Sequence, residues 1–254
     1  MGQRENISLR DVLSNSKIIM ELSLISLAIA PGVAIALFVY FRDKYEKEPL
    51  SLLLKVFFAG FLTVIPVALI EQWLSQAIVL EQTIAHIAVQ NFLFIGFTEE
   101  VCKYFCLYAI AYSNKNFNEP FDGIVYAVMV SMGFATSENL LYVLDGGLHV
   151  AVMRLFTAVP AHATFGVLMG YFVGLAKFKN NSTVFLIYGL IIAAIFHGAY
   201  DFFLSVHNVG LLAVGALLAL AIGIRFSFKA MKILNDNSPF KYSTVIGKQF
   251  QSLQ

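Results

Sequence analysis

Glu99, Glu100 and Lys103 stand together in FTEEVCKYF (97–105), at the centre of a long apolar segment. On insertion scales a mid-membrane charge costs about 2.5–3.5 kcal/mol, while each Leu, Ile, Phe or Val returns only about 0.3–0.6 kcal/mol. Such a segment needs partners for its charges. On a helix Lys103 lies about 40° from Glu99 and about 60° from Glu100, so it can reach either carboxylate. One ion pair leaves the second glutamate over. Three later apolar segments carry further candidates. Glu138 and Asn139 occur in GFATSENLLY, with Ala127, Ser131, Ala135 and Tyr142 near the face of Glu138. His162 opens VPAHATFGVLMGYFVG, followed at steps of four by Gly166, Gly170 and Gly174, a small-residue series that brings another helix close. Pro160 just before it removes a backbone hydrogen bond and can bend the helix there. His197 and Asp201 in FHGAYDFF share a helical face, so Asp201 can accept from one ring nitrogen and leave the other free. His86, His149 and His207 fall at the ends of segments; only His162 and His197 lie deep.

Two histidines and a carboxylate are a common ligand set for catalytic zinc, with one position left for water. The candidate ligands are Glu100, Glu138, His162 and His197. A further glutamate could take the proton of water and pass it to a leaving amine. Lys103 would hold the other carboxylate ionised or steady the pair, and Asn139 and Asp201 would orient the reacting groups from behind. The expected reaction is metal-assisted hydrolysis within the membrane, with a peptide bond as the favoured target. No local H-E-x-x-H is present, so ligands must come from several helices. A metal-free route, in which a glutamate activates water and histidines stabilise the oxyanion, uses the same residues.

These residues need a scaffold that sets them side by side in a membrane. The chain is 59% hydrophobic and 13% charged, where soluble chains carry about a quarter charged residues. Its apolar residues fall into seven segments, 18–41, 50–73, 88–111, 122–144, 150–176, 183–206 and 209–228, each long enough to cross a core of about 30 Å. The expected fold is an all-α bundle of about seven transmembrane helices over 18–228, between a polar N-terminal tail (1–17) and a C-terminal tail (229–254). A first apolar block this long, with no A-x-A-like site, reads as a span and not as a cleavable signal. Net charge of +1 without a basic stripe argues against nucleic acid. Cys102 and Cys106 read as small packing residues. Arg42, Lys44, Lys47, Lys115, Lys177, Lys179, Lys229, Lys232, Lys241 and Lys248 lie in alternate connections or the C-terminal tail, whereas 74–87, 145–149 and 207–208 hold no Lys or Arg. This places the C-terminus in the cytoplasm and the N-terminus outside, with Arg4, Arg10 and Lys17 dissenting. At 1.5 Å per residue, Glu99, Glu100 and His162 lie roughly 17–20 Å from the outer surface, His197 about 13 Å and Glu138 about 9 Å.

E-E-x-x-K at 99–103, F-x-x-x-E-N at 134–139, H-x-x-x-G at 162–166 and H-x-x-x-D at 197–201, in this order, resemble the PrsW family of intramembrane proteases. DKYEKEP at 43–49 and APG at 30–32 are also similar to that family, and the resemblance covers roughly residues 28–205. It implies a polytopic protease of the bacterial cytoplasmic membrane, distantly related to CAAX prenyl endopeptidases and bacteriocin-processing membrane proteins. It further implies that the substrate is a single-span membrane protein such as an anti-sigma factor, cut near its extracytoplasmic side. By the same analogy Glu99, Glu100 and His197 lead the catalytic candidates, followed by Glu138 and His162. Two rivals remain at this stage: a proton- or ion-coupled transporter that uses the buried Glu, His and Lys as a relay, and a scaffold that uses them for packing. The absence of an apparent inverted repeat or paired broken helices weighs against the transporter.

Overall fold

The computed structural model describes residues 9–78, 81, 83–206 and 211–242, with side chains from Ser14 and, in the last helix, from Val214. Arg4, His207 and Lys248, and the side chain of Arg10, lie outside the described residues. Every regular element described is helical. In order these are α1 (Leu9–Arg42), α2 (Leu50–Ala77), α3 (Ile84–Val89), a π-helical stretch (Gln90–Phe97), α4 (Thr98–Leu107), a second π stretch (Tyr108–Tyr112), α5 (Pro120–Phe156), α6 (Ala158–Phe178), α7 (Ser182–Ser205) and α8 (Leu211–Asp236).

Among the described residues five helices are long and apolar enough to cross a membrane, one of them a continuous run from Pro120 to Phe178. That run contains two of the seven segments read from sequence, because the chain turns back within it. Gly147 breaks the helix with φ 68° and ψ −158°, a left-handed conformation that only glycine adopts without strain. The segment expected at 88–111 is not among the five. Its helix alternates between α and π geometry and carries Glu99, Glu100 and Lys103. α1 starts ahead of the expected boundary and α8 runs past it to Asp236, since a helix need not stop where its apolar residues do.

The core surrounds the first half of α5. From Phe121 to Ser137 every residue is buried. An apolar helix without a polar face must be covered on all sides, and α1, α2 and α6 supply most of that cover. Small residues set the spacing. A Cβ on Gly170 would strike the backbone of Gly123 and Ile124, and one on Gly174 would strike Pro120, so the glycine series on α6 lies directly against α5. Ser131, from the small-residue stripe of α5, faces Gly166. The outward surfaces are apolar, with Phe58, Leu62, Leu69 and Trp73 of α2 all more than half exposed, as lipid-facing helices require.

Pro160 does not bend its helix. α6 begins at Ala158, so the proline lies in the first turn, where backbone N–H groups have no intrahelical acceptor to lose.

Candidate active site

α4, α5, α6 and α7 bring the sequence candidates together. The approach of α7 to the chain entering α4 depends on two glycines. A Cβ on Gly96 would lie 2.9 Å from the Gly198 amide nitrogen, so this crossing has no room for side chains. The glycines adjoin the candidate residues: Gly198 follows His197, and Gly96 lies next to the end of the π stretch, three residues before Glu99. π-helical turns widen a helix locally and often occur at functional sites.

Lys103 is at the centre and only 1% exposed. Its ammonium donates to Glu99 Oε2 at 2.9 Å and to Glu100 Oε1 at 2.8 Å, so both i+3 and i+4 partners are used at once. It also lies 3.1 Å from His162 Nδ1 and 4.0 Å from the centre of the Phe134 ring. An ammonium has only hydrogens to offer, so Nδ1 is the acceptor and the ring proton sits on Nε2. That proton points to Glu138 Oε2 at 2.9 Å. His197 is enclosed by carboxylates: Nδ1 is 2.9 Å from Glu100 Oε1, and Nε2 is 3.1 Å from Asp201 Oδ2 and 3.7 Å from Glu99 Oε2. The i, i+4 pairing of His197 and Asp201 is therefore present. Phe165 stacks on the His197 ring at 4.7 Å, and the two imidazoles stand edge to face at 5.2 Å.

Glu99, Glu100, His162 and His197 each offer one donor atom, and these four atoms lie within 4.8 Å of one another. Glu138 stands outside that group, behind His162. Arg154 holds it, with Nη2 on Glu138 Oε2 at 2.7 Å and Nε on Asn139 Oδ1 at 2.6 Å. Asn139 Nδ2 donates to the Ala28 carbonyl and ties α1 to this end of α5. Sequence reasoning passed over Arg154. The available signal was a lone arginine in an apolar segment, but its partner lies on the other side of the Gly147 reversal.

Glu99 and Glu100 differ in access. Glu99 lines a cavity of about 640 Å³, with Glu71, Glu138, Arg154, His162, His197 and Asp201 on its other walls. Glu100 is fully buried behind it, and its Oε2 has no hydrogen-bond partner. A buried carboxylate oxygen without a partner is costly unless something else engages it. In this network the carboxylates (Glu99, Glu100, Glu138, Asp201) outnumber the lysine and arginine partners (Lys103, Arg154). Two imidazoles, two carboxylates and an unpartnered oxygen all fit a divalent metal ion.

Residues 48–226 match the family described as PrsW family intramembrane metalloprotease. The chain belongs to the PrsW family. A Shouchella clausii protein named Protease PrsW is 40% identical over 184 residues, covering 72% of this chain and 84% of that protein. Proteins of the same name from Geobacillus kaustophilus and Bacillus subtilis are 41% and 37% identical over 183 and 185 residues, covering 80% and 83% of their lengths. No solved structure matches the chain. As a member of this family the chain is an intramembrane protease and a multi-pass membrane protein, and the transporter reading is not favoured. The match begins at Glu48 and ends at Phe226, so it contains all the site residues described above.

Proposed function

We propose that the chain cuts a single-span membrane protein, an anti-sigma factor or similar regulator, at a bond presented to the Glu99–Glu100–His162–His197 group. The observation that carries this reading is the convergence of these four donors, with Glu99, His162 and His197 on the wall of the cavity and Glu100 directly behind it. In this reading Glu99, the glutamate with access to the cavity, takes the proton from the attacking water and passes it to the leaving amine. Glu100, His162 and His197 would hold a zinc ion. When bound, such an ion polarises the scissile carbonyl and acidifies water. Lys103 keeps both glutamates in position. Glu138, fixed by Arg154 and Asn139, holds the His162 ring so that Nδ1 faces the centre. Asp201 and Phe165 do the same for His197.

We further propose seven crossings, with 84–112 as the third and the run 120–178 as the fourth and fifth, flanked by polar segments 1–17 and 229–254. The ends of α1, α6 and α8 and the starts of α2, α5 and α7 would then share the lysine-rich cytoplasmic side of a bacterial inner membrane. The cavity would open toward the opposite, extracytoplasmic side.

The test is cleavage of a single-span reporter in membranes by Glu99→Gln, Glu100→Gln and His197→Ala variants, alongside metal analysis of purified protein. The reading expects loss of cleavage in all three variants with the fold retained. It also expects about one zinc per chain, lost in His162→Ala or His197→Ala. Retained cleavage in all three would sink the site. Full activity without metal would leave Glu99-activated water as the mechanism.

A further inference from the structure

DKYEKEP (43–49) plays no part in the site above, yet it is one of the most heavily charged stretches in the chain. The structure folds it against the start of α5. Asp43, Glu48, Glu119 and Asp122 are each no more than 3% exposed, and Glu46 is half-buried beside them. Asp43, Glu119 and Asp122 offer oxygens within 4.8 Å of one another, and so do Glu46, Glu48 and Asp122. Asp122 belongs to both sets.

Two of these carboxylates are held by one oxygen and left open at the other. Asp122 Oδ2 accepts from the backbone amides of Asn118 and Glu119 at 2.7 and 2.8 Å, while Oδ1, on a fully buried residue, has no partner. Glu48 Oε2 accepts from the Tyr126 hydroxyl, while Oε1 has no partner. Neither oxygen of Asp43 has one. The nearby lysines do not compensate. Lys47 donates to the backbone carbonyls of Tyr40 and Asp43, and Lys177 to those of Tyr112 and Asn114. Among the described residues no lysine or arginine pairs with any of the five carboxylates.

Buried carboxylates without counter-charge must take up protons or a cation. Burial does push Asp43 up to about 7 and Glu48 up to about 10. A proton on Glu48 can be shared with Asp122, but it leaves both oxygens of buried Asp43 and both oxygens of buried Glu119 without a partner. Anchoring one oxygen so that the other faces a common centre is how proteins orient metal-binding carboxylates. An all-oxygen donor set suits hard cations, calcium or magnesium, and not zinc.

We propose that Asp43, Glu46, Glu48, Glu119 and Asp122 form a binding site for a hard divalent cation that clamps the α1–α2 connection onto the start of α5. It is separate from the hydrolytic group. Asp122 and Glu138 are about 24 Å apart along α5, at 1.5 Å per residue.

The test uses the full-length chain in detergent or nanodiscs, with terbium(III) as the probe. Tyr126, hydrogen-bonded to Glu48, is placed to sensitise terbium emission on excitation of tyrosine. Saturable emission is expected, displaced by calcium or magnesium but not by the same ionic strength of potassium. Whichever divalent ion displaces at the lower concentration is the preferred occupant. The His162→Ala/His197→Ala double variant should retain the signal. Asp122→Asn should weaken terbium binding at least tenfold, and Glu46→Gln, at a half-buried position that tolerates change, should weaken it measurably. No sensitised emission, no displacement by either ion, unchanged binding in both carboxylate variants, or loss of signal in the double-histidine variant would each overturn the proposal. Because the readout is binding and not cleavage, failure here leaves the hydrolytic reading intact, and the converse also holds.

Discussion

The arm of α5 before the Gly147 reversal carries a cluster of carboxylates at each end, and the two are treated in opposite ways. At the Glu138 end the carboxylates have permanent cations built in: Lys103 bridges Glu99 and Glu100, and Arg154 holds Glu138. At the Asp122 end there are more carboxylates than in the four-donor group, and lysines close by, yet those lysines spend their hydrogens on backbone carbonyls. The difference follows from register. Lys103 is one helical turn from two glutamates, a spacing that aligns the side chains. Lys47 follows the end of α1 in an irregular connection and folds back on the Tyr40 carbonyl in the last turn of that helix and on the Asp43 carbonyl just past it, as a cation near a helix C-terminus does. Proximity in sequence does not by itself pair charges; the backbone geometry between them decides.

The comparison breaks most sharply in catalysis. Replacing Glu99 by Gln should reduce reporter cleavage by about 10²–10⁴-fold, the range for loss of a general base. Glu100→Gln and His197→Ala should cost at least as much, while Asp122→Asn assayed in the same membranes should leave the hydrolytic group in place. Next in size is the internal cation. Lys103→Met strands two buried carboxylates, a change expected to destabilise the fold by about 3–5 kcal/mol, read as a drop in thermal midpoint in detergent. Lys47→Met, which strands no carboxylate, should move that midpoint far less.

Arg154 sharpens the contrast from the other side. Arg154→Ala should lower kcat by about 10–100-fold through a loosened Glu138–His162 pair. Arg154→Lys should recover only part of the loss, since a point charge cannot reach Glu138 and Asn139 together as the guanidinium does. The smallest effect belongs to Tyr126→Phe. Loss of its hydrogen bond to Glu48 should cost about 0.5–1.5 kcal/mol of stability, visible as a shifted unfolding midpoint with cleavage within a few-fold of wild type.

Much of the candidate site was legible in the sequence. Glu99, Glu100, Lys103, His162 and His197 stood out because ionisable groups are rare in apolar segments, and the His197–Asp201 pair was legible from helical spacing. The glycine series on α6 correctly marked a close helix contact. Arg154 was missed because its role depends on the reversal at Gly147, which brings residues 15 and 16 positions apart into contact. Pro160 was misread because its effect depends on where the helix begins, and that boundary is set by the turn at Thr157. The broken α/π character of 84–112 leaves no mark in hydropathy, which counts apolar residues and not hydrogen-bond register.

By itself the sequence determined that this chain lives in a membrane, that four of its helical segments carry polar groups needing one another, and which residue types those are. These follow from local rules: apolar length, charge cost and the 3.6-residue period. Only the tertiary structure decided which glutamate reaches the cavity, that Glu138 stands behind His162, and that DKYEKEP meets the start of α5. Each depends on contacts between segments distant in the chain, where burial and the direction of one oxygen set the chemistry, and no local spacing rule reaches that far.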